Sequence, residues 1–441
     1  MIQKTVFFCF ALFLISFSQA QVEVNVKLSP GYNDLQAFLA SQSGQINPIE
    51  SIPATLSSRF PFVNNLNQVT ALRLNESLED IFTLSLNEPN TQITITTLKQ
   101  SGAFEFVEEN HIRSLHQLNY QPNDDSLTKQ WFHNYIQTPQ AWDLTTGSAS
   151  VKIGFLDTGI DFLHPEFIGQ LAINSFEDLN QNGKLDPWPQ TEVRNGISGD
   201  YNGIDEDNNG YIDDVCGYDF VDQPRSPFGG DYLFADANPM DDNGHGTAIA
   251  GIIGAKADNT IGGSGVAPGC RMVPIRAFAA NGSGEDDDIA RAIVYAVDNG
   301  IKILNFSFGD IYPSQIMHEA IKYAYDHQVI MVASAGNGTG DELHYPSAFN
   351  EVISISASAA DLSNGNEFLW PLSSYGVTVD LCAPGSRIFT TTLLDTSSTG
   401  KITQFITTQG TSTSAPMVAA TVGLLFSHQG FRSPQQVRGL L

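Results

Sequence analysis

An aspartate, a histidine and a serine, far apart in the chain, each sit in a context that makes the side chain useful for chemistry. Asp157 ends the apolar run Val151-Lys152-Ile153-Gly154-Phe155-Leu156 and opens Asp157-Thr158-Gly159-Ile160-Asp161. A carboxylate at the end of a buried strand can hold an imidazole in one tautomer and stabilise its cation. His245 lies in Asn243-Gly244-His245-Gly246-Thr247, at the start of a helical pattern. Glycines on both sides let the backbone approach another chain closely. Ser412 lies in Gly410-Thr411-Ser412-Thr413-Ser414-Ala415-Pro416, also at a predicted helix start. There the helix dipole and unpaired N–H groups favour a developing oxyanion. Each segment alone is a weak signal, and the three in this order reinforce one another.

A second chemistry is written between Asp157 and His245. Asp205, Asp207, Asn209 and Asp213 occupy positions 1, 3, 5 and 9 of a loop with Gly210 at position 6. Asp178, Asn180, Asn182 and Asp186 repeat the pattern around Gly183. This is the front half of an EF-hand-type loop, in which alternate oxygen side chains turn onto Ca²⁺ and glycine allows the sharp bend. Position 7 offers a carbonyl, from Tyr211 and from Lys184. Neither loop has Glu at position 12, and Asp214 stands near the first as an extra oxygen donor. An all-protein oxygen cage suits Ca²⁺ better than Mg²⁺.

These residues need a scaffold. Apolar runs at 151–156, 301–306, 329–333, 351–357 and 378–382 read as strands, and 245–255, 288–299 and 314–328 read as helices. Alternation of this kind predicts an α/β fold, a largely parallel sheet with helices on both faces, with the site beyond the carboxyl ends of the strands. Residues 21–120 differ. Thr91-Gln92-Ile93-Thr94-Ile95-Thr96 alternates with period two and predicts a strand, and Asn33–Leu39 predicts a helix. Gln121-Pro122-Asn123-Asp124-Asp125-Ser126 reads as a linker.

The whole chain has 48 acidic and 21 basic residues, a formal charge of −27, which disfavours nucleic acid and anionic membrane as partners. Residues 1–20 have the form of a signal peptide: Lys4, the apolar run Val6–Phe17, then Ser18-Gln19-Ala20, with cleavage expected after Ala20 and a secreted product. Cys9 would leave with it. Cys216, Cys270 and Cys382 remain, enough for one bridge at most and too few for a disulfide framework.

The segments DTGID, HGT followed by AIAG, and GTSTSAP resemble the three active-site segments of the subtilisin family of serine peptidases. The resemblance runs from about Trp131 to the last residue. It includes Val266-Ala267-Pro268, Ser334-Ala335-Gly336-Asn337, Tyr345-Pro346-Ser347 and Ala383-Pro384-Gly385 in family order. It implies that Ser412 is the nucleophile, His245 the general base and then acid, and Asp157 its orienter. Asn337 would donate to the oxyanion together with the Ser412 N–H. Ser307-Phe308-Gly309 and Gly284-Glu285-Asp286 would be the two edge strands that bind a protein or peptide substrate. Phe308 would line the pocket for the residue before the scissile bond, with His344 near its floor. Glu166 and Asn259 match ligands of the family's strong calcium site, where Ile261 and Gly263 would add carbonyls, although the family usually has Asp at the position of Glu166. Thr413 stands where relatives often carry Met, and Ala248 where many carry His.

By position, 21–120 corresponds to the family's propeptide, a small α+β domain that chaperones folding, inhibits the site and is cut away. The cut is expected between Leu115 and Asp125, leaving a peptidase domain over 121–441 that acts as a monomer. At the other end, Ser433 and Pro434 predict the cap and first residue of a helix. Relatives continue past this point, so a truncated domain is expected.

Overall fold

The apolar runs form a single sheet in the computed structural model of the chain. It describes residues 22–28, 70–73, 81–86, 91–100, 104–109 and 120–441, apart from 223–229, 364 and 395–404. Residues 1–21 and 33–39, with the signal segment, the predicted helix and Cys9, lie outside the described residues. The chain divides into two compact units, 1–115 and 116–441.

In the first unit β1 (Val22–Leu28), β2 (Thr70–Arg73), β3 (Ile81–Leu86) and β4 (Phe104–Glu109) make an antiparallel sheet in the order β2-β3-β1-β4. Helix α1 (Thr91–Gln100) replaces the strand expected at Thr91–Thr96. Ile95 and Leu98, one helical step apart, are both buried. Burial along one helical face outweighs the strand preference of the β-branched residues.

The second unit is built on β5 (Lys152–Asp157), β6 (Tyr218–Asp219), β7 (Arg271–Arg276), β8 (Ile303–Phe306), β9 (Ile330–Ser334), β10 (Ile353–Asp361), β11 (Asn366–Leu369) and β12 (Leu381–Pro384). The order is β11-β10-β9-β8-β5-β7-β6, with β12 also paired to β10. All pairings are parallel except β10–β11. Both faces are covered, so alternate strand residues enter different cores. Ile153, Phe155, Ile330 and Val332 join one apolar cluster, whereas Leu156, Met331 and Ala333 join the other. Continuous apolar runs such as VIMVA are therefore what these strands require.

Helices α2 (His245–Gly254) and α5 (Thr411–Gln429) pack in the first cluster. Helices α3 (Asp286–Asp298) and α4 (Gln315–Asp326) pack in the second. The last helix, α6 (Pro434–Leu440), has the expected cap. Ser433 Oγ accepts from Gln436 N–H, and Gln436 Oε1 accepts from Ser433 N–H. No described helix is long and apolar enough to cross a membrane.

One expectation needs correction. The stretch 121–126 is not a free linker. Asp124 is buried and accepts from the N–H groups of Asp258 and Asn259, and Ser126 N–H donates to Gly262 O. The three cysteines form no bridge: Cys216 and Cys270 are buried free thiols, and Cys382 is free and exposed.

Candidate active site and cation loops

Asp157 is the last residue of β5 and is 3% exposed. Its Oδ1 accepts from Thr158 N–H at 2.8 Å and lies 2.7 Å from His245 Nδ1. That bond makes Nδ1 the protonated nitrogen and leaves Nε2 as a proton acceptor. The His245 ring is 40% exposed, so it remains open to a substrate. The Asp157 charge, opposed by partial burial, holds the His245 pKa above its ordinary value of 6.5.

His245 is the first residue of α2, and its position depends on tight backbone contact. A side chain at Gly246 would come within 2.1 Å of Gly159 O, so only glycine lets α2 reach the Asp157 loop. Asp241, not singled out from the sequence, organises this loop. One of its oxygens accepts from Thr158 Oγ1, Asn243 N–H and Gly244 N–H, each at 2.9 Å. The other accepts from Thr247 N–H at 2.9 Å and Thr247 Oγ1 at 2.6 Å. One buried carboxylate thus ties the histidine loop to the residue after Asp157. The local signal for it is the turn-forming run Asp241-Asp242-Asn243-Gly244 just before His245.

Ser412 is the second residue of α5. Asn337 follows β9 and sits beside that helix start. Its Oδ1 accepts from Thr411 N–H and Thr411 Oγ1, both at 3.0 Å, and this assigns the Nδ2 group as the free donor. Gly410 has φ 141°, and a Cβ there would lie 3.1 Å from Ser412 Oγ and 3.4 Å from Asn337 Nδ2. The hydroxyl and the amide therefore border the same small space. Ser307 Oγ donates to Ser412 O at 2.8 Å and links the helix start to the segment after β8. No hydrogen bond joins His245 to Ser412 Oγ among the described residues. Such bonds are commonly long before substrate binds.

A cleft of about 550 Å³ opens beside this group, lined by Asp157, His245, Gly284, Ser307, Phe308 and Gly309 among others. Three specificity expectations shift. Gly284-Glu285-Asp286 is no strand: Glu285 is the N-cap of α3 and Asp286 its first residue. Three acids in that first turn complement the helix dipole. The Glu285 carboxylate groups with those of Asp222 and Asp288 rather than with the residues lining the cleft. Among the described residues Ser307-Phe308-Gly309 follows β8 without a strand partner of its own, up to the Asp310–Tyr345 bridge. Tyr345 lines the cleft and His344 does not. The His344 ring lies against Gly336, where a Cβ would meet three of its atoms at 2.7 Å, so it backs the turn that carries Asn337.

In both acidic loops the carboxylates accept hydrogen bonds from nearby amides, and in the Asp205 loop Asp213 groups with Glu177 and Glu206 rather than with Asp205 and Asp207. In the Asp205 loop, Asp205 accepts from Asn209 and Gly210 N–H, Asp207 from Asn209 N–H and Asn174 Nδ2, and Asp213 from Asn202 and Gly203 N–H. Tyr211 N–H donates to Asn209 Oδ1, while Asp214 accepts from Asn209 Nδ2 and Tyr295 Oη. Glu177, from outside the loop, groups its carboxylate with those of Asp205 and Asp207. In the other loop Asp178 accepts from Asn182 and Gly183 N–H, and Asp186 from Asn180 and Asn182 Nδ2. Asp200 joins it by accepting from Asp186 N–H. Near the chain start of this unit, Glu166 Oε2 accepts from Asn259 Nδ2 at 3.1 Å, while buried Glu166 Oε1 has no partner. Burial pushes the Glu166 carboxyl up to about 8. An oxygen-only donor set with an orphaned buried carboxylate oxygen fits Ca²⁺. Glu177 and Asp200 are not legible in the sequence, because their partners are distant in the chain.

The model of the Subtilase family matches residues 148–441. The chain is 29% identical over 364 residues to the thermophilic serine proteinase of Bacillus sp. (strain AK1), covering 81% of this chain and 72% of that one. It is 31% identical over 323 residues to thermitase of Thermoactinomyces vulgaris, covering 73% of this chain and 90% of that one. A protease of Pseudoalteromonas arctica PAMC 21717 shares the fold, with a TM-score of 0.56 and 24% identity over 73% of this chain and 91% of that one.

Proposed function

The chain belongs to the subtilase family and is a serine-type endopeptidase, and from that premise we propose that Asp157, His245, Ser412 and Asn337 carry its reaction. His245 Nε2 takes the proton of Ser412 Oγ as that oxygen attacks the peptide carbonyl. Asp157 keeps Nδ1 protonated and stabilises the imidazolium. Asn337 Nδ2 and the Ser412 N–H receive the negative oxygen of the tetrahedral intermediate. His245 then gives its proton to the leaving amine, and water repeats the sequence on the acyl-enzyme. The observation that carries this reading is the 2.7 Å bond between His245 Nδ1 and a nearly fully buried Asp157, beside a cleft that Ser307 ties to Ser412. Phe308, Gly309 and Gly284 line the substrate's path.

The finer reading is of a secreted enzyme. Residues 1–20 direct export, and residues 21–120 serve as a propeptide that inhibits the site until it is removed. Calcium, bound by the Asp205 loop, the Asp178 loop and the Glu166–Asn259 pair, stabilises the folded enzyme. The substrates are proteins or peptides, and the enzyme works as a monomer.

Mass spectrometry of a peptide library incubated with the purified protein tests this. Internal peptide bonds are expected to be cut, and no cutting by folded, processed protein contradicts the reading. Asn337→Ala should lower kcat by about 10²–10³ with little change in KM, the scale known for this donor in subtilisin itself. An equal loss in both parameters, or none, argues against the oxyanion role. Removal of calcium by EDTA should lower Tm by about 4 °C for each ion present near a hundredfold above its Kd. Differential scanning calorimetry checks this, and an unchanged Tm removes the calcium role.

A further inference from the structure

Glu177 is 1% exposed and sits at the meeting point of two groups of carboxylates. With Asp205 and Asp207 it forms one group, and with Glu206 and Asp213 another; in each, the oxygens lie within 4.8 Å of one another. Asp205 and Asp207 fall in one group and the intervening Glu206 in the other. The loop therefore has two acidic sides, and Glu177 is the residue they share.

The hydrogen bonds leave this cluster short of positive charge. Glu177 Oε1 accepts from Glu206 N–H at 2.8 Å, but Glu177 Oε2 is buried without a partner. Glu206 Oε1 accepts from Asn202 Nδ2 at 2.5 Å, and Glu206 Oε2 is likewise buried without a partner. The donors around Asp205, Asp207 and Asp213 are backbone and asparagine amides, all neutral. Among the described ion pairs none involves these five acids. Five carboxylates packed this closely repel one another strongly whenever they are ionised, and each orphaned oxygen adds a desolvation cost. One divalent cation on the Asp205–Asp207 side would leave Glu206 and Asp213 facing each other uncompensated.

We propose that this loop binds two Ca²⁺ ions, one held by Asp205 and Asp207 and the other by Glu206 and Asp213, with the Glu177 carboxylate bridging them. This rests on the calcium reading of the loop given above and adds the second ion and the bridge. The all-oxygen donor set selects a hard cation, and the irregular loop geometry suits the flexible coordination of Ca²⁺.

Native mass spectrometry of the full chain at saturating Ca²⁺ counts the ions. All variants carry Ser412→Ala so that no sample digests itself, and Ser412→Ala alone is the parent. Glu206→Gln and Asp207→Asn should each bind one Ca²⁺ fewer than the parent, and Glu177→Gln two fewer. If Glu206→Gln binds as many ions as the parent while Asp207→Asn binds one fewer, the loop holds one ion and the two-ion proposal is overturned. If Glu177→Gln loses only one, the bridge is overturned. If every variant matches the parent, the calcium reading of the loop fails as well. Near-ultraviolet circular dichroism reports whether each variant folds. If Glu177→Gln does not, the Glu206→Gln/Asp207→Asn double variant decides: two ions fewer supports the pair of sites, and one fewer overturns it.

Discussion

Ser412→Ala is expected to lower kcat by about 10⁶-fold while leaving Tm nearly unchanged, the activity scale being that known for loss of the nucleophile in subtilisin itself. The two halves of this expectation have separate causes. Among the described residues Ser412 Oγ makes no hydrogen bond, so removing it leaves none of their buried groups without a partner. A change of this kind at a partly exposed helix start shifts stability by about 0.5 kcal/mol or less. The chemistry, in contrast, has no substitute: Ser414, two residues on, is fully buried and hydrogen-bonded to the carbonyls of Ala383 and Pro384. Steady-state kinetics on a cleaved library peptide and calorimetry on the same sample measure both. A loss of activity matched by a loss of folded protein would show that the variant reports on stability alone. If residues 21–120 are removed by the enzyme itself, the variant should also keep them.

Asp157→Asn is the second large effect, expected at about 10⁴-fold in kcat near neutral pH, with the geometry of the loop retained. Asparagine fills the same space and its oxygen can still accept from Thr158 N–H. What it cannot do is stabilise a proton on His245. The carboxylate raises the His245 pKa, so in the parent the acid limb of kcat/KM falls at a pH above the ordinary 6.5. Below that pH His245 is protonated and cannot act as base; above it activity is full. Removing the negative charge lowers the pKa and moves this limb to lower pH. A pH profile of the variant therefore shows two changes together: a much lower plateau, and an inflection displaced toward acid. A low plateau with an unmoved inflection would mean that Asp157 acts only through folding.

The sequence and the structure agree most closely where chemistry and chain order coincide. Asp157 at a strand end, His245 at one helix start and Ser412 at another were legible because each lies in a short apolar or glycine-rich context that leaves few conformations. The parallel sheet was legible because both its faces are buried, which demands unbroken apolar strands. Other features depended on distant partners. Thr91–Thr96 reads as a strand from its own residues, yet Ile95 and Leu98 bury as neighbours on a helix. The stretch 121–126 reads as a linker until Asp258, Asn259 and Gly262 supply its hydrogen bonds. Glu177 and Asp200 complete loops that start in sequence elsewhere, so no local spacing could reveal them. The resemblance puts His344 near a pocket floor, whereas in the fold its ring packs against Gly336. Asp241 shows the opposite case: it was within four residues of the histidine, and only its five hydrogen bonds make its importance visible.

The most direct test of the central claim is covalent labelling by a fluorophosphonate, which modifies a serine only when that hydroxyl is activated. Peptide mapping of the processed enzyme is expected to find the label on Ser412 alone, with labelling abolished in Ser412→Ala and strongly slowed in His245→Ala. Label on another serine, or unchanged labelling of Ser412 without His245, would contradict the proposal that His245 activates this hydroxyl.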